Sequence, residues 1–546
     1  MLLGLSETPE RVTTFVLFVA MLLSAIVITH WAAERHPSTL RFYTASRRLT
    51  GVQNGLAIAG DYISAASFLG ATGAIALYGW SGLLYAIGFL ASYVFLHLWI
   101  AEPVHRLGYY SLGDVFAARF PERRVRLVVA VVQFGLSFIY IIPQLVASGL
   151  LLHLLLGLDY RLGVVFIGLM MSIYVAYGGM TAASWVQILK TVLLTAGTFL
   201  IVLIAATRLG GPGVLWSLKQ TLKHPLVVPK TLPEGPSAMS ALLLTLFLGT
   251  SGLPHILQRM LTVGDVRAVR RSVAVASTLI AFFYLLTLSM GLSARLILPP
   301  EELVVLGNDG GNLIAPLLAR ALGGAFLFAF VSALAFQTVL AVVTGLVISA
   351  TTALAHDVYD HVLGYGRQNE AHKLFVARLT AIVVGFTATA LSIGAAGENL
   401  AVLVSLAFAA AASSFLPALI YLFYWPRLTS YGLMAGLLIG FGTSLAFGVA
   451  TFAFSSPPGW LHQPGWITLL IGFGTPLVVS LWSPRRRDRD QTAWSVFFAR
   501  AHGLRISDDE RKGMRADRFG MSGAKGRESG AACFREEAPT KGPSAP

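Results

Sequence analysis

Polar and apolar positions alternate along this chain on a long wavelength. Runs of about 20 mostly apolar residues, enough for a helix to cross the hydrocarbon core of a bilayer, are separated by polar loops. Thirteen such runs occur, at 11–33, 50–78, 82–101, 125–153, 162–178, 183–206, 240–262, 272–297, 322–354, 376–395, 399–424, 431–453 and 464–483. Each predicts a transmembrane helix, and the longer runs predict tilt or breaks. The pattern therefore describes an all-α polytopic membrane protein.

Two of the runs are interrupted. The second contains LAIAGDYISAASFLG at 56–70, where Asp61 stands beside Gly60 with hydroxyls at Tyr62, Ser64 and Ser67. A charge at mid-bilayer costs about 2.5–3.5 kcal/mol on insertion scales and usually marks a function. The seventh reads LFLGTSGLPHILQRM, with Gly249, Gly252 and Pro254 in mid-run. Glycine and proline weaken or break a helix, and the freed backbone groups must find partners in the bilayer. An ion or a substrate carboxylate can be that partner, because half-helix N-termini attract anions and exposed carbonyls bind cations. Close helix packing is the bland explanation for such glycines; it suits Gly70 and Gly73 but not Pro254. The interrupted spans lie five apart, as in transporters built from two inverted five-helix repeats, so spans two to six and seven to eleven are expected to be the repeats.

Composition agrees with the pattern. The 546 residues are 55% hydrophobic and 12% charged, against about 25% charged in soluble domains. The net charge of +14 does not require nucleic acid, since arginines cluster in alternate loops. Arg35, Arg41, Arg47 and Arg48 follow the first span, and Arg106, Arg119, Arg123, Arg124 and Arg126 the third. Arg259, Arg267, Arg270 and Arg271 follow the seventh, and SPRRRDRD opens the tail. The positive-inside rule then puts the N-terminus outside and the C-terminus in the cytoplasm. The start of the chain has neither a basic n-region nor a small-residue cleavage site, so 11–33 reads as a retained helix. The one cysteine, Cys533, allows no internal disulfide.

The expected organisation is a first helix and basic loop (1–49), a first repeat (50–206), an external loop (207–239), a second repeat (240–424) and two peripheral helices (425–483). A cytoplasmic tail (484–546) follows, mostly disordered beyond a short helix at 490–503. No nucleotide or zinc motif and no nucleophile constellation appears, so neither an enzyme nor a cofactor is expected.

Away from span ends, the permanently ionisable side chains are Asp61 and Lys190; His97 and His255 also lie inside spans. Opposite charges in hydrocarbon are accommodated as partners, or beside water and an ion. A structural ion pair and a cation or proton site both remain open on this evidence.

Several stretches resemble the sodium/solute symporter family, in its acetate permease (cation/acetate symporter) branch: GDYISAASFLG (60–70), IYIIPQLVASG (139–149), YGGMTAASWVQILK (177–190), GTSGLPHILQRMLTV (249–263) and AHDVYD (355–360). The resemblance implies a LeuT-like five-plus-five inverted repeat with about 13 helices, working by alternating access in a bacterial cytoplasmic (inner) membrane. It also implies import of acetate or related short monocarboxylates (propionate, glycolate, pyruvate) with a cation. Carried over, the family's sodium site falls on the Gly60 and Ile63 carbonyls and on Thr338. The usual hydroxyl pair falls on Ala341 and Val342, which have no hydroxyl. A second departure is Ser184, where many relatives have a carboxylate. With aliphatic residues at sodium's place, Lys190 is expected near Asp61, standing in for a cation or gating it. Burial readily lowers a lysine's pKa, so Na+ and H+ both stand as coupling ions.

A small carboxylate needs few donors and an apolar pocket for its methyl. Candidates are Ser64, Ser67, Gln144, the amides of Gly252 and Leu253, and His255. Gln144 shares a face with Tyr140 by i, i+4 spacing, and an interhelical hydrogen bond is its alternative role. His255 can donate to a carboxylate or satisfy carbonyls at the break. Arg259 reads as a snorkelling or gate residue. A same-fold symporter for proline, choline or a sugar is the rival reading, and a channel a weaker one.

Overall fold

The structure is a computed structural model. It describes residues 8–32, 38–210, 236–308, 311–365, 369–394, 400–453, 465–483 and 487–504. Most of the expected external loop, Asp309 and the tail beyond 504 with Cys533 lie outside the described residues.

Every regular element among those residues is a helix; one isolated bridge, Leu49 to Val263, is their only β-type pairing. All thirteen expected spans are present as helix. By length and composition alone ten helices can cross a membrane. The 162–178 and 183–206 runs form one of these, Tyr160–Arg208, bent where Gly179 takes φ 54° and ψ −156°. The second span divides into Gly51–Tyr62 and Ala66–Tyr78, each too short to cross alone, and the third begins with the 16-residue helix Trp80–Phe95.

The ninth span is the axis of the molecule. Of its most apolar stretch within 314–362, 89% is buried, against 22% for the first span. The first span lies on the outside, with the Phe18 ring 4.4 Å from that of Phe336 on the axis. Side chains such as Leu470, Val449 and Leu285 are exposed on the outer helices, an arrangement that suits lipid.

Both expected breaks are real, and their causes are local. Thr50 and Gln53 form a capping box that starts the helix Gly51–Tyr62. It ends at Ile63, whose ψ of 86° is not helical. Two carbonyls lose their usual partners there: Ser64, four residues beyond Gly60, is outside the helix, and the Ser67 amide, four beyond Ile63, turns to Ser64 Oγ at 3.4 Å. In the seventh span, helix Pro236–Ser251 stops before Pro254, which has no amide to continue it. Leu253 is extended, as the residue before a proline prefers, and a new helix, Pro254–Gln258, begins.

The basic loops converge on one face. Arg47, after the first span, donates to the carbonyls of Gly108 (3.0 Å) and Leu261 (3.3 Å), after the third and seventh. Arg126 pairs with Asp357 at the end of the ninth span at 2.9 Å. The tail helix, Arg487–His502, packs on the same side, where Arg119 stacks on Trp494 with 4.3 Å from its guanidinium carbon to the ring centre.

Candidate functional site

The first break supplies two unpaired carbonyls, and a lysine from the bent helix fills them. Lys190 Nζ donates to Gly60 O at 2.5 Å and to Ile63 O at 2.7 Å. Both carbonyls, Lys190 and Thr338 are buried. The ammonium thus occupies the same pair of oxygens on which the family resemblance lays sodium. Thr338 donates its hydroxyl back to Leu334 O at 2.8 Å, and Ala341 and Val342 add only aliphatic surface.

Asp61 lies beside this lysine but takes a different cation as its direct partner. Its carboxylate accepts from Arg259 Nε and, on the other oxygen, from Gln187 Nε2. Gln187 also reaches across to Ala341 O on the axis helix at 2.7 Å, and Arg259 Nη1 donates to Ser184 Oγ at 2.5 Å. The structural ion pair left open for Asp61 and Lys190 is thus formed by Arg259 instead. An arginine fork matches a carboxylate better than an ammonium does, and the lysine has two break carbonyls of its own. Arg259 is fully buried and so does not snorkel.

Four elements meet here: the first break, the second half of the bent helix, the axis helix and the stretch after the second break. They meet closely. A methyl group on Gly60 would lie 2.7 Å from Gln187 O, and one on Gly345 would lie 2.6 Å from Asp61 Oδ1. No side chain larger than hydrogen fits at either position without movement.

The substrate candidates divide. Ser64 faces Tyr140 and Ser67 faces Tyr284. The Tyr140 ring stands 5.6 Å from both His255 and Phe408. So Ser64, Tyr140 and His255 are brought together from three elements, with Gln144 one turn along from Tyr140. Gln144 Oε1 and His255 Nδ1 are buried and have no hydrogen-bond partner within the protein. The amides of Gly252 and Leu253 are not available as donors. They bond back to Gly249 O (2.9 Å) and Thr250 O (3.3 Å), because the chain closes a tight turn before it breaks. Tyr62, Tyr93 and Tyr284 pack edge-on, with Tyr62 at 4.8 Å and 6.4 Å from the other two rings.

Gln187 is the site residue that sequence reasoning passed over, and Arg259 reads there only as a snorkelling or gate residue. The signal for Gln187 is its position three residues before Lys190, on the same helix face. That for Arg259 is weaker, since an arginine near the end of an apolar run usually faces the interface.

Comparison with known proteins follows the same lines. The model of the sodium:solute symporter family matches residues 42–440. YwcA, an uncharacterized symporter of Bacillus subtilis (strain 168), is 43% identical over 498 residues, covering 88% of this chain and 97% of its own. Among solved structures, a Na+-coupled sialic acid symporter in a substrate-bound outward-open state aligns with TM-score 0.71 at 16% identity, over 86% of this chain and 98% of that one. Mhp1, a nucleobase-cation-symport-1 family transporter, aligns in its closed, bromovinylhydantoin-bound conformation with TM-score 0.51 at 14% identity, over 84% and 99%. At these identities the structural likeness speaks for the fold, which is the LeuT-like one.

Proposed function

We propose a function that proceeds from one premise: the chain belongs to the sodium:solute symporter family. It is a multi-pass, cation-coupled symporter and not an enzyme. Our reading of its finer function is import of acetate and related short monocarboxylates (propionate, glycolate, pyruvate) across a bacterial cytoplasmic membrane, coupled to protons.

The observation that carries the proton reading is Lys190 Nζ on the Gly60 and Ile63 carbonyls. Sodium wants several oxygens, and here Ala341 and Val342 of the axis helix carry no side-chain oxygen, while the Ala341 carbonyl is taken by Gln187. A tethered ammonium holds the break in the way a bound cation would. When it gives up its proton, the charge that draws the two carbonyls together is gone, and the break is free to rearrange. Proton binding and conformation are linked through that one group, as a symporter requires.

The monocarboxylate reading is supported by the modest polar equipment between the breaks. Tyr140, Phe408 and the Tyr62 cluster give an apolar, aromatic lining. Ser64, Gln144 and His255 give a few polar groups, too few to coordinate the hydroxyls of a sugar. Neutral His255 has an N–H to offer a carboxylate.

The test is uptake into proteoliposomes under an imposed proton gradient or an imposed sodium gradient, applied separately. Labelled pyruvate is run alongside acetate, because acetic acid crosses bilayers unaided. The expected result is concentrative pyruvate uptake driven by protons, competed by acetate and glycolate but not by proline or choline, and lost in Lys190→Met. Sodium-driven uptake that survives Lys190→Met would overturn the coupling assignment. Competition by proline or choline alone would overturn the substrate class.

A further inference from the structure

Far from the transport site, on the face that gathers the arginine-rich loops, the axis helix ends in HDVYDH. Its last stretch, Thr352–Val362, is a π-helix. In an α-helix of 3.6 residues per turn, residues five apart lie on well-separated faces. The i→i+5 hydrogen bonding of a π-helix brings them nearly into line, and such segments concentrate at functional sites. Here it brings the rings of His356 and His361 to 4.6 Å. His361 Nδ1 bonds to His356 O at 2.9 Å, which makes Nδ1 the protonated nitrogen and leaves the lone pair on Nε2.

A carboxylate from another element faces these rings. Asp114, in the short helix Leu112–Ala117 after the third span, is fixed by the Tyr110 and Ser111 amides at 2.8 and 3.1 Å and by Arg126 at 3.0 Å. One ligating atom each from Asp114, His356 and His361 lie within 4.8 Å of one another. His356 Nε2 is buried, aims at Asp114 Oδ2 from 3.7 Å and makes no hydrogen bond. That separation is too long for a hydrogen bond and suits two ligands of one metal ion, each about 2.0–2.2 Å from it. Asp360 lies 3.8 Å from the other His356 nitrogen, where a carboxylate orients a metal-bound imidazole. His361 is exposed, so the site opens to solvent and leaves a coordination position for water.

We propose that Asp114, His356 and His361 form a binding site for a divalent transition-metal ion of the zinc class, which ties the loop after the third span to the end of the axis helix. Two imidazoles and a carboxylate suit Zn2+ or Co2+ and disfavour Mg2+ or Ca2+, which take all-oxygen shells. The sequence alone hides the site, because five-residue spacing is not a helical metal motif.

The test uses full-length protein in detergent, carrying a histidine-free affinity tag and Cys533→Ser to remove the thiol. Titration calorimetry with Zn2+, and the visible absorption of Co2+, are measured for this protein and for His361→Ala. His361 is exposed, so its loss leaves the fold intact. The expected result is one Zn2+ per chain, a raised melting temperature with Zn2+, and affinity at least about tenfold weaker in His361→Ala. Absence of stoichiometric binding, or equal affinity in His361→Ala, would overturn the proposal. Asp114→Asn, which also weakens the Arg126 pair and so is expected to melt lower without metal, provides a second variant with the same expected loss of Zn2+ affinity.

Discussion

At the scale of residues, the buried charge network holds two cations and one carboxylate. Lys190 is neutralised only by backbone dipoles and the nearby Asp61, while Arg259 makes the direct pair. Breaking a buried pair by removing one partner leaves an uncompensated charge, a loss of about 3–5 kcal/mol. Asp61→Asn leaves both Arg259 and Lys190 without a carboxylate and is therefore expected to abolish the monodisperse peak on fluorescence-detected size exclusion. Asp61→Asn combined with Arg259→Met removes the direct pair and leaves only Lys190, which keeps the Gly60 and Ile63 carbonyls, and is expected to recover part of that peak, whatever it does to transport. Equal loss in the single and double variants would show that the stranded guanidinium is not what disrupts Asp61→Asn. Asp61 and Lys190 were legible in the sequence because each interrupts an apolar run near its middle. Arg259 was not, since a run that ends in QRM looks like any span reaching the interface. Gln187 was silent because it carries no charge, yet it joins Asp61 to the axis helix.

At the scale of elements, the breaks were legible because proline and glycine act through the backbone and need no partner to be read. Their consequences were not. The expectation that Gly252 and Leu253 offer free amides failed on turn geometry, which no residue type announces. The bend at Gly179 shows the same division. The sequence suggests two spans parted at 179–182, and the structure joins the two helices directly through a single reversed residue, Gly179. Gly179 has a positive φ near a region of the map that is essentially confined to glycine, where other residues cost about 1–3 kcal/mol. A methyl group there would also lie 3.0 Å from the Phe42 backbone. Gly179→Ala is expected to lower the melting temperature in detergent by several degrees. Gly442→Ala, in a helix and with open space around it, is expected to leave it unchanged or slightly raised. If both variants melt alike, the bend is not a point of constraint.

At the scale of the whole molecule, the alternate arginine clusters foretold which loops share a side, and the structure draws those loops into contact. Arginine does two jobs in such a loop, and charge counting detects only one. As a topological signal any cation serves. Arg119 also closes the exposed end of the helix Phe415–Tyr424: Nη1 donates to Leu422 O at 2.7 Å and Nη2 to Trp425 O and Pro426 O at 3.1 Å. The other side of its guanidinium plane lies against Trp494 and Phe497 of the tail helix. One planar group thus joins three parts of the molecule distant in sequence. A lysine keeps the charge but has neither the fork nor the flat face. Arg119→Lys is expected to insert with unchanged orientation and yield, because the topological signal is intact. It is also expected to melt several degrees lower, consistent with the loss of about 1–3 kcal/mol of charge-assisted bonding, and to lose the tail helix to trypsin more quickly. Removal of the chain after 483 should then make Arg119→Lys and the parent nearly equal in the part of the difference that comes from stacking, leaving the capping bonds as the remainder. A lysine variant that melts with the parent and keeps its tail equally protected would return Arg119 to the role of a topological charge alone.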